Sequence, residues 1–373
     1  MARRVGLAGL PAVLLLTLAL AVPAQAAPTG PTTVVPAGCN FEAVTGDAAV
    51  AGDGVTRGFV SFHGGGCGSL GTIRYFEGSG TVWTSSGTSL RGRVLGVADD
   101  GATTFLLFQA TSGIWITRKA HGGPVSAGRR LSSFSAGAVF SQGDVVAFTD
   151  QWWAVWTEQV GVGEFAPSQL FQGKTIGAGD CIDPINRQRI TQRLTNDESP
   201  SLVLKPASAG ASGADLVWSR NDGAQGLSGH IWLASAGCSA RWTSRQLSFA
   251  GRLDLAPDLA RTGGVDHAAW SRDDARVVHA DDAGGTWSTH TFNTRGLAPR
   301  VTASGPNAFV AFTNLTGHPF VAVRRGPTTW TGSDLTPTAG SFQEVVAITA
   351  TGGVGTLLAA SDGSDRLYAV AHL

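Results

Sequence analysis

The chain has 373 residues, 43% of them hydrophobic and 14% charged, with 27 basic and 27 acidic side chains and a formal net charge of zero. No basic stripe that would track phosphates is present, which argues against nucleic acid as a partner. Fifty-one Gly and 11 Trp suit many short strands joined by tight turns.

The first 26 residues read as a signal peptide. Arg3 and Arg4 start it, Val13 to Val22 form its apolar run, and Ala24-Gln25-Ala26 is a small-x-small cleavage site. Removal after Ala26 would release a secreted chain, and no later run has the length to insert into a membrane. Only three Lys stand against 24 Arg, a codon bias expected of a G+C-rich bacterium. Residues 27–38 are a Pro/Gly-rich lead-in, and 39–373 are expected to form one domain.

Seven apolar runs end in a large apolar residue: Phe62, Phe108, Phe148, Trp218, Trp270, Phe312 and Leu358, at gaps of 46, 40, 70, 52, 42 and 46 residues. A period near 45 with strand-like local pattern predicts an all-β fold, a seven-bladed β-propeller of four-stranded antiparallel blades. In the reference blade, Leu255–Leu259, Asp266–Trp270, Arg276–Ala280 and Trp287–Phe292 are the four strands, with Gly and Asp in the turns between them. Third strands are expected at Ile73–Tyr75, Ile114–Ile116, Ala154–Trp156, Ile231–Leu233, Val277–Ala280, Phe320–Val323 and Leu367–Val370. Trp83, Trp242, Trp287 and Trp330 open outer strands as wedges between blades.

Two features depart from the period. The last blade stops after its third strand, so the β-branched run Thr32–Val35 is expected to supply the fourth and close the ring at the N-terminus. The 70-residue gap needs an insertion. Leu194 lies 24 residues before Trp218, against 48 for Leu170, so Arg189–Thr195 is preferred as the outer strand of blade three. That choice places an excursion at about 161–188, between the third and fourth strands.

The segment Ala280-Asp281-Asp282-Ala283-Gly284-Gly285-Thr286-Trp287 resembles the Asp box of the sialidase-like propellers at Asp282, Gly284, Thr286 and Trp287, with Ala280 where Ser is usual. The resemblance implies a structural turn between third and fourth strands, away from the substrate face. The sialidase catalytic set does not accompany it. No Arg-Ile-Pro motif occurs, and Tyr75 and Tyr368, the two tyrosines, fall in third strands; Tyr75 has Glu77 two residues on.

No His pair has metal-ligand spacing, and Asp-rich turns such as Asp273-Asp274 are explained by turn chemistry; no metal and no cofactor are expected. The loops after second strands share one face. They carry His63, Gln109, Asp150 with Trp152 and Trp153, Arg220 with Asp222, Arg272 with Asp273, Asn314 with His318, and Asp362. Polar groups beside Trp faces suit a carbohydrate or protein ligand. The expected role is binding through that face by a monomer. The alternative is a glycoside hydrolase or lyase using inner-strand carboxylates, with Asp47, Asp258 and Glu344 the candidates.

Four Cys in an exported chain predict two disulfides. Cys39 precedes the first strand of blade one and Cys67 follows its second, which puts both on one face. Cys181 and Cys238 fall in equivalent turns of blades three and four. The expected pairs are Cys39–Cys67 and Cys181–Cys238.

Overall fold

The computed structural model describes residues 31–133, 141–160, 167–175, 185–191, 195–205, 213–221, 229–237, 241–248, 252–326, 329–335, 343–361 and 365–373. The signal peptide, Leu194, Cys181, Cys238, Asp222 and Asp362 lie outside them.

The chain is all-β, with four-stranded antiparallel sheets in a propeller-like arrangement. After β1 (Thr32–Pro36), the first sheet is β2 (Ala43–Val50), β3 (Thr56–His63), β4 (Thr72–Ser79) and β5 (Val82–Arg91). The second is β6 (Arg93–Asp99), β7 (Thr103–Ala110), β8 (Gly113–Ala120) and β9 (Arg129–Ser132). The third is β10 (Gly143–Phe148), β11 (Gln151–Gln159), β12 (Ser168–Lys174) and β13 (Ile185–Arg189). The fourth is β14 (Asn196–Lys205), β15 (Gly213–Asn221), β16 (Gly229–Ala236) and β17 (Trp242–Gln246).

The next sheet has seven strands: β18 (Asp254–Thr262), β19 (Val265–Arg272), β20 (Arg276–Asp281), β21 (Ser288–Ser304), β22 (Asn307–Asn314), β23 (Pro319–Arg325) and β24 (Trp330–Asp334). Its 17-residue β21 serves two units, pairing with β20 through its first half and with β22 through its second. The last sheet is β25 (Gln343–Thr351), β26 (Val354–Ser361) and β27 (Arg366–Ala371), with β1 as its fourth strand. Thr33 sits opposite Tyr368 and Val35 opposite Leu367.

Second strands are the most apolar and the most enclosed. All eight residues of β3 are buried, because a strand with neighbours on both edges and sheets on both faces has no solvated side. Outer strands are the reverse: β5 is rich in Ser and Thr and largely exposed. The first strands touch in the order β2, β6, β10, β14, β18, β21 and β25, and β25 touches β2 again. Val34 and Val35 of β1 pack with Phe62, Phe76 and Leu358 in one apolar cluster, which joins the last sheet to the first. Cys39 and Cys67 form a disulfide with Cα atoms 5.4 Å apart, as their placement on one face required.

The third sheet corrects the expected register. Phe148 ends the first strand of that sheet, not the second, and pairs with Gln151 across a two-residue turn. Thr149 and Asp150 in that turn have φ of 48° and 58°, the left-handed pair of a tight hairpin. Ala154–Trp156 therefore lies in the second strand, and the third is β12, inside the supposed excursion 161–188. The outer strand is Ile185–Arg189 instead of Arg189–Thr195. First and second strands are both apolar runs ending in a large residue, so the sequence pattern alone does not tell Phe148 from a second-strand end.

In the turn after β20, Asp282 Oδ1 accepts the N–H of Asp266 at 2.8 Å, and Gly284 and Gly285 have φ of 85° and 82°. Trp287 packs at the edge of the apolar cluster between β16 and β19.

Candidate functional site

A cavity of about 750 Å³ is lined by residues of β2, β6, β10, β14, β18, β21 and β25. One end of it lies on the face where first strands begin and second strands end. Three first strands enter it through the same device. Ser199-Pro200-Ser201, Ala256-Pro257-Asp258 and Ala298-Pro299-Arg300 each open with a residue at φ of 50°, 50° and 47°. A non-Gly residue in this region costs about 1–2 kcal/mol. Each coincides with a register shift in its ladder, and the bulge turns Ser201, Asp258 and Arg300 toward the axis.

Asp47 and Asp144 hold equivalent places on β2 and β10. These five residues lie along the cavity wall and form its polar waist. Its carboxylates bind across strands. Asp47 Oδ2 accepts the N–H of Val97 at 2.8 Å, Asp144 Oδ2 that of Leu202 at 2.7 Å, and Asp258 Oδ2 that of Val301 at 2.7 Å. Ser201 Oγ accepts the N–H of Leu259 at 3.1 Å.

Asp47, Asp258 and Glu344 all feel the positive charge of Arg300. Burial pushes Asp47 up to about 6 against the pull of Arg300. Asp144 is pushed up to about 8, by burial first and then by the charge of Asp47. Asp258 and Glu344 are also raised by burial, with Arg300 opposing in each case. The expected inner-strand carboxylates Asp47, Asp258 and Glu344 therefore do line the cavity. The structure adds Asp144, Ser201 and Arg300 to them, the first because β10 is a first strand. The recurrence of Gly-Asp at 46–47 and 143–144 was the available signal.

The expected ligand rim divides. Trp152 and Trp153 are 6% and 2% exposed, inside β11, on opposite faces of the third sheet. They are wedges and cannot stack on a ligand, which corrects that expectation. Asp150 lies in the β10–β11 turn, on the face opposite the other candidates, and its carboxylate pairs with Arg118 at 2.6 Å. His63, Gln109 and Arg220 are buried. His63 bonds Thr45, Gln109 accepts the N–H of Ser141, and Arg220 clasps Asp197 at 2.6 Å. Arg272 repeats that clasp on Asp254 at 2.8 Å but is half-exposed, as are Asn314 and His318.

Beside these three, Leu255, Leu297 and Leu315 are 37%, 53% and 55% exposed. Leu255 sits opposite Ser271 and Leu297 opposite Thr313, so all three mark the same face at neighbouring units. Sequence reading passed over them because single exposed leucines carry no pattern.

Two other clusters bear on chemistry. Tyr75 donates to Glu77 at 2.7 Å, but Tyr75 is buried against Phe59 in the packing between the first two sheets, away from the cavity. Among the described residues, His267, His279 and Asp281 have ligand atoms within 4.8 Å of one another. The Arg324 guanidinium already occupies that position, 2.5 Å from Asp281 Oδ2 and 3.4 Å from His267 Nδ1. A second cation would meet it at contact distance, so the set reads as a closed polar network.

No family model matches the chain, and no curated protein does. Solved structures match over most of its length. The BP39L lectin from Burkholderia pseudomallei superposes with a TM-score of 0.61 at 12% identity, covering 89% of this chain and 95% of the lectin. The SapL1 lectin in complex with alpha methyl fucoside gives 0.53 at 11% identity, covering 80% and 98%. The polysaccharide lyase Uly1 gives 0.52 at 10% identity, covering 84% and 87%. The chain shares their fold. At these identities the likeness extends to architecture and not to the residues of any site.

Proposed function

We propose that the protein is a secreted, seven-bladed β-propeller, closed by β1, that binds carbohydrate across the face where first strands begin and second strands end. The observation that carries the reading is the exposed trio Leu255, Leu297 and Leu315 next to half-exposed Arg272, Asn314 and His318. Sugars present apolar C–H faces and hydroxyls together, and such a surface offers a partner to each. The lectins of the same fold bind or belong to this class by name, which raises the expectation without supplying a residue. The chain acts as a monomer and needs no metal or cofactor for binding. A Cys181–Cys238 bridge, an Asp-box role for the turn at Asp282–Trp287 and signal cleavage near Ala26 belong to the same reading. The test is a glycan array followed by titration calorimetry of a retained glycan, with Leu297→Ala and Asn314→Ala weakening it and Val82→Ala, on an outer strand, leaving it unchanged.

One observation favours a second reading, that of a glycoside hydrolase or lyase. Carboxyls of Asp144 and Asp258 both reach Ser201 within one cavity, and Asp144 is raised toward neutrality. Release of reducing ends from the retained glycan, lost in Asp258→Asn, would support it; intact glycan after prolonged incubation would dismiss it.

A further inference from the structure

Ser201 Oγ lies 3.2 Å from Asp144 Oδ2 and 3.0 Å from Asp258 Oδ1, and it also accepts the N–H of Leu259. A hydroxyl has a single proton to donate. It can satisfy one carboxylate; the other must bring a proton of its own or leave two anions against one oxygen. We propose that Asp144, Ser201 and Asp258 hold a trapped proton, with Asp144 Oδ2–H donating to Ser201 Oγ and Ser201 donating to Asp258 Oδ1, and that this proton locks the waist of the cavity.

The lock spans four units of the ring. Asp144 belongs to β10 and grips β14 through Leu202. Ser201 on β14 grips β18 through Leu259. Asp258 on β18 grips β21 through Val301. Protonation of Asp144 rather than Asp258 follows from their neighbours. Arg300 favours the ionised form of Asp258, whereas the charges of Asp47 and Asp258 both oppose ionisation of Asp144.

Other charged groups around the waist do not supply the missing counterion. Glu344 and Glu198 are acidic and themselves raised by burial. Arg261, at the far end of the cavity, is committed to Asp215 and Asp266 at 3.1 and 2.6 Å. Arg93 opens β6, three residues before Gly96, the position level with Asp144. A Cβ at Gly96 would come within 2.8 Å of the Asp144 backbone, so no side chain from β6 can enter there.

The sign of the coupling is fixed. In an opened, hydrated waist Asp144 returns to its ordinary range near 4, so opening releases a proton. The waist is therefore tightest in mild acid and loosens as pH rises from about 4 to about 8, with opening favoured about tenfold per pH unit for this proton, and it levels off above. The lock is independent of what the outer face binds.

The experiment is amide hydrogen exchange of Leu202 and Leu259 between pH 5 and 8, with infrared spectra of the same samples. Parent protein should show a protonated-carboxyl band at pH 7, to which Asp266 also contributes, that Asp144→Asn weakens. Its opening constant, corrected for base catalysis, should climb more steeply than that of Asp144→Asn by about tenfold per pH unit. Ser201→Ala should speed exchange at both amides and, through loss of the shared hydroxyl, move the band's midpoint. Absence of the band in the parent at pH 7, or parallel pH profiles for parent and Asp144→Asn, would overturn the proposal. If Asp144→Asn fails to fold, the parent band and its midpoint shift in Ser201→Ala decide the matter alone.

Discussion

Trp153 and Trp242 share one acceptor: their indole N–H groups both donate to Gln172 Oε1, at 2.9 and 3.1 Å, with ring centroids 5.4 Å apart. Trp153 comes from the second strand of the third sheet and Trp242 from the outer strand of the fourth. One buried amide thus fixes how two units pack, and the tandem Trp152-Trp153 faces both neighbours at once.

Replacing Trp152 or Trp153 by Ala should cost roughly 3–5 kcal/mol each, as for large aromatic side chains removed from a packed core. Urea denaturation reads this directly. A loss below about 1 kcal/mol would mean that the indoles are not wedges between sheets.

The pairing of β1 with β27 makes the N-terminal segment part of the last sheet. Deleting residues 27–38 should bare the edge of β27, lower the melting temperature and promote aggregation. A truncated protein that melts with the parent would show that β1 contributes nothing to closure.

Just beyond β1, the Cys39–Cys67 bridge closes a 28-residue separation. Chain entropy values such a loop at roughly 3–4 kcal/mol before any strain. Paired Cys39→Ser and Cys67→Ser substitutions should lower stability by an amount of that order. Peptide mapping without reductant should also return Cys181 joined to Cys238; a peptide joining Cys39 to either would contradict both pairings.

Acid and base should act on different parts of the ring. Burial holds His267 down at about 4 and His279 below its ordinary value, with Arg324 adding to both. Folded protein thus binds fewer protons there than unfolded protein. The contribution is present above about pH 6.5 and lost as pH falls toward 4. The raised carboxyls Asp47 and Asp144 have the opposite sign: their contribution is full near pH 4 and lost as pH rises through 6 and 8. Melting temperature should pass through a maximum near about pH 6, and His267→Gln should flatten the acid limb without changing the alkaline one. A monotonic profile would contradict these assignments.

Much of the strand pattern was legible because every second strand is an apolar run closed by a large side chain, as at Phe62, Trp218 and Trp270, with Gly and Asp between runs. The Cys39–Cys67 pair was legible for the same reason, since strand order alone places both on one face. The third sheet was not. Its turn Thr149-Asp150 adopts left-handed geometry without glycine, and nothing in the sequence tells this turn between first and second strands from a loop between second and third. That single slip hid Asp144, sent Asp150 to the wrong face and made two core indoles look like a ligand platform. The waist was legible only in part. Asp47 and Asp258 stand out as charges within apolar strands, whereas Ser201 acquires its role from two carboxylates 57 residues away on either side.

The most direct test of carbohydrate binding at the face bearing Leu297 and Asn314 is a glycan array probed with the folded, disulfide-bonded protein, its Leu297→Ala and Asn314→Ala variants, and Trp153→Phe as a core control. Retention of a defined glycan by the parent and by Trp153→Phe, with at least a tenfold loss in both face variants, is expected. Retention unaffected by either face variant, or no glycan retained by protein that melts cooperatively, would contradict it.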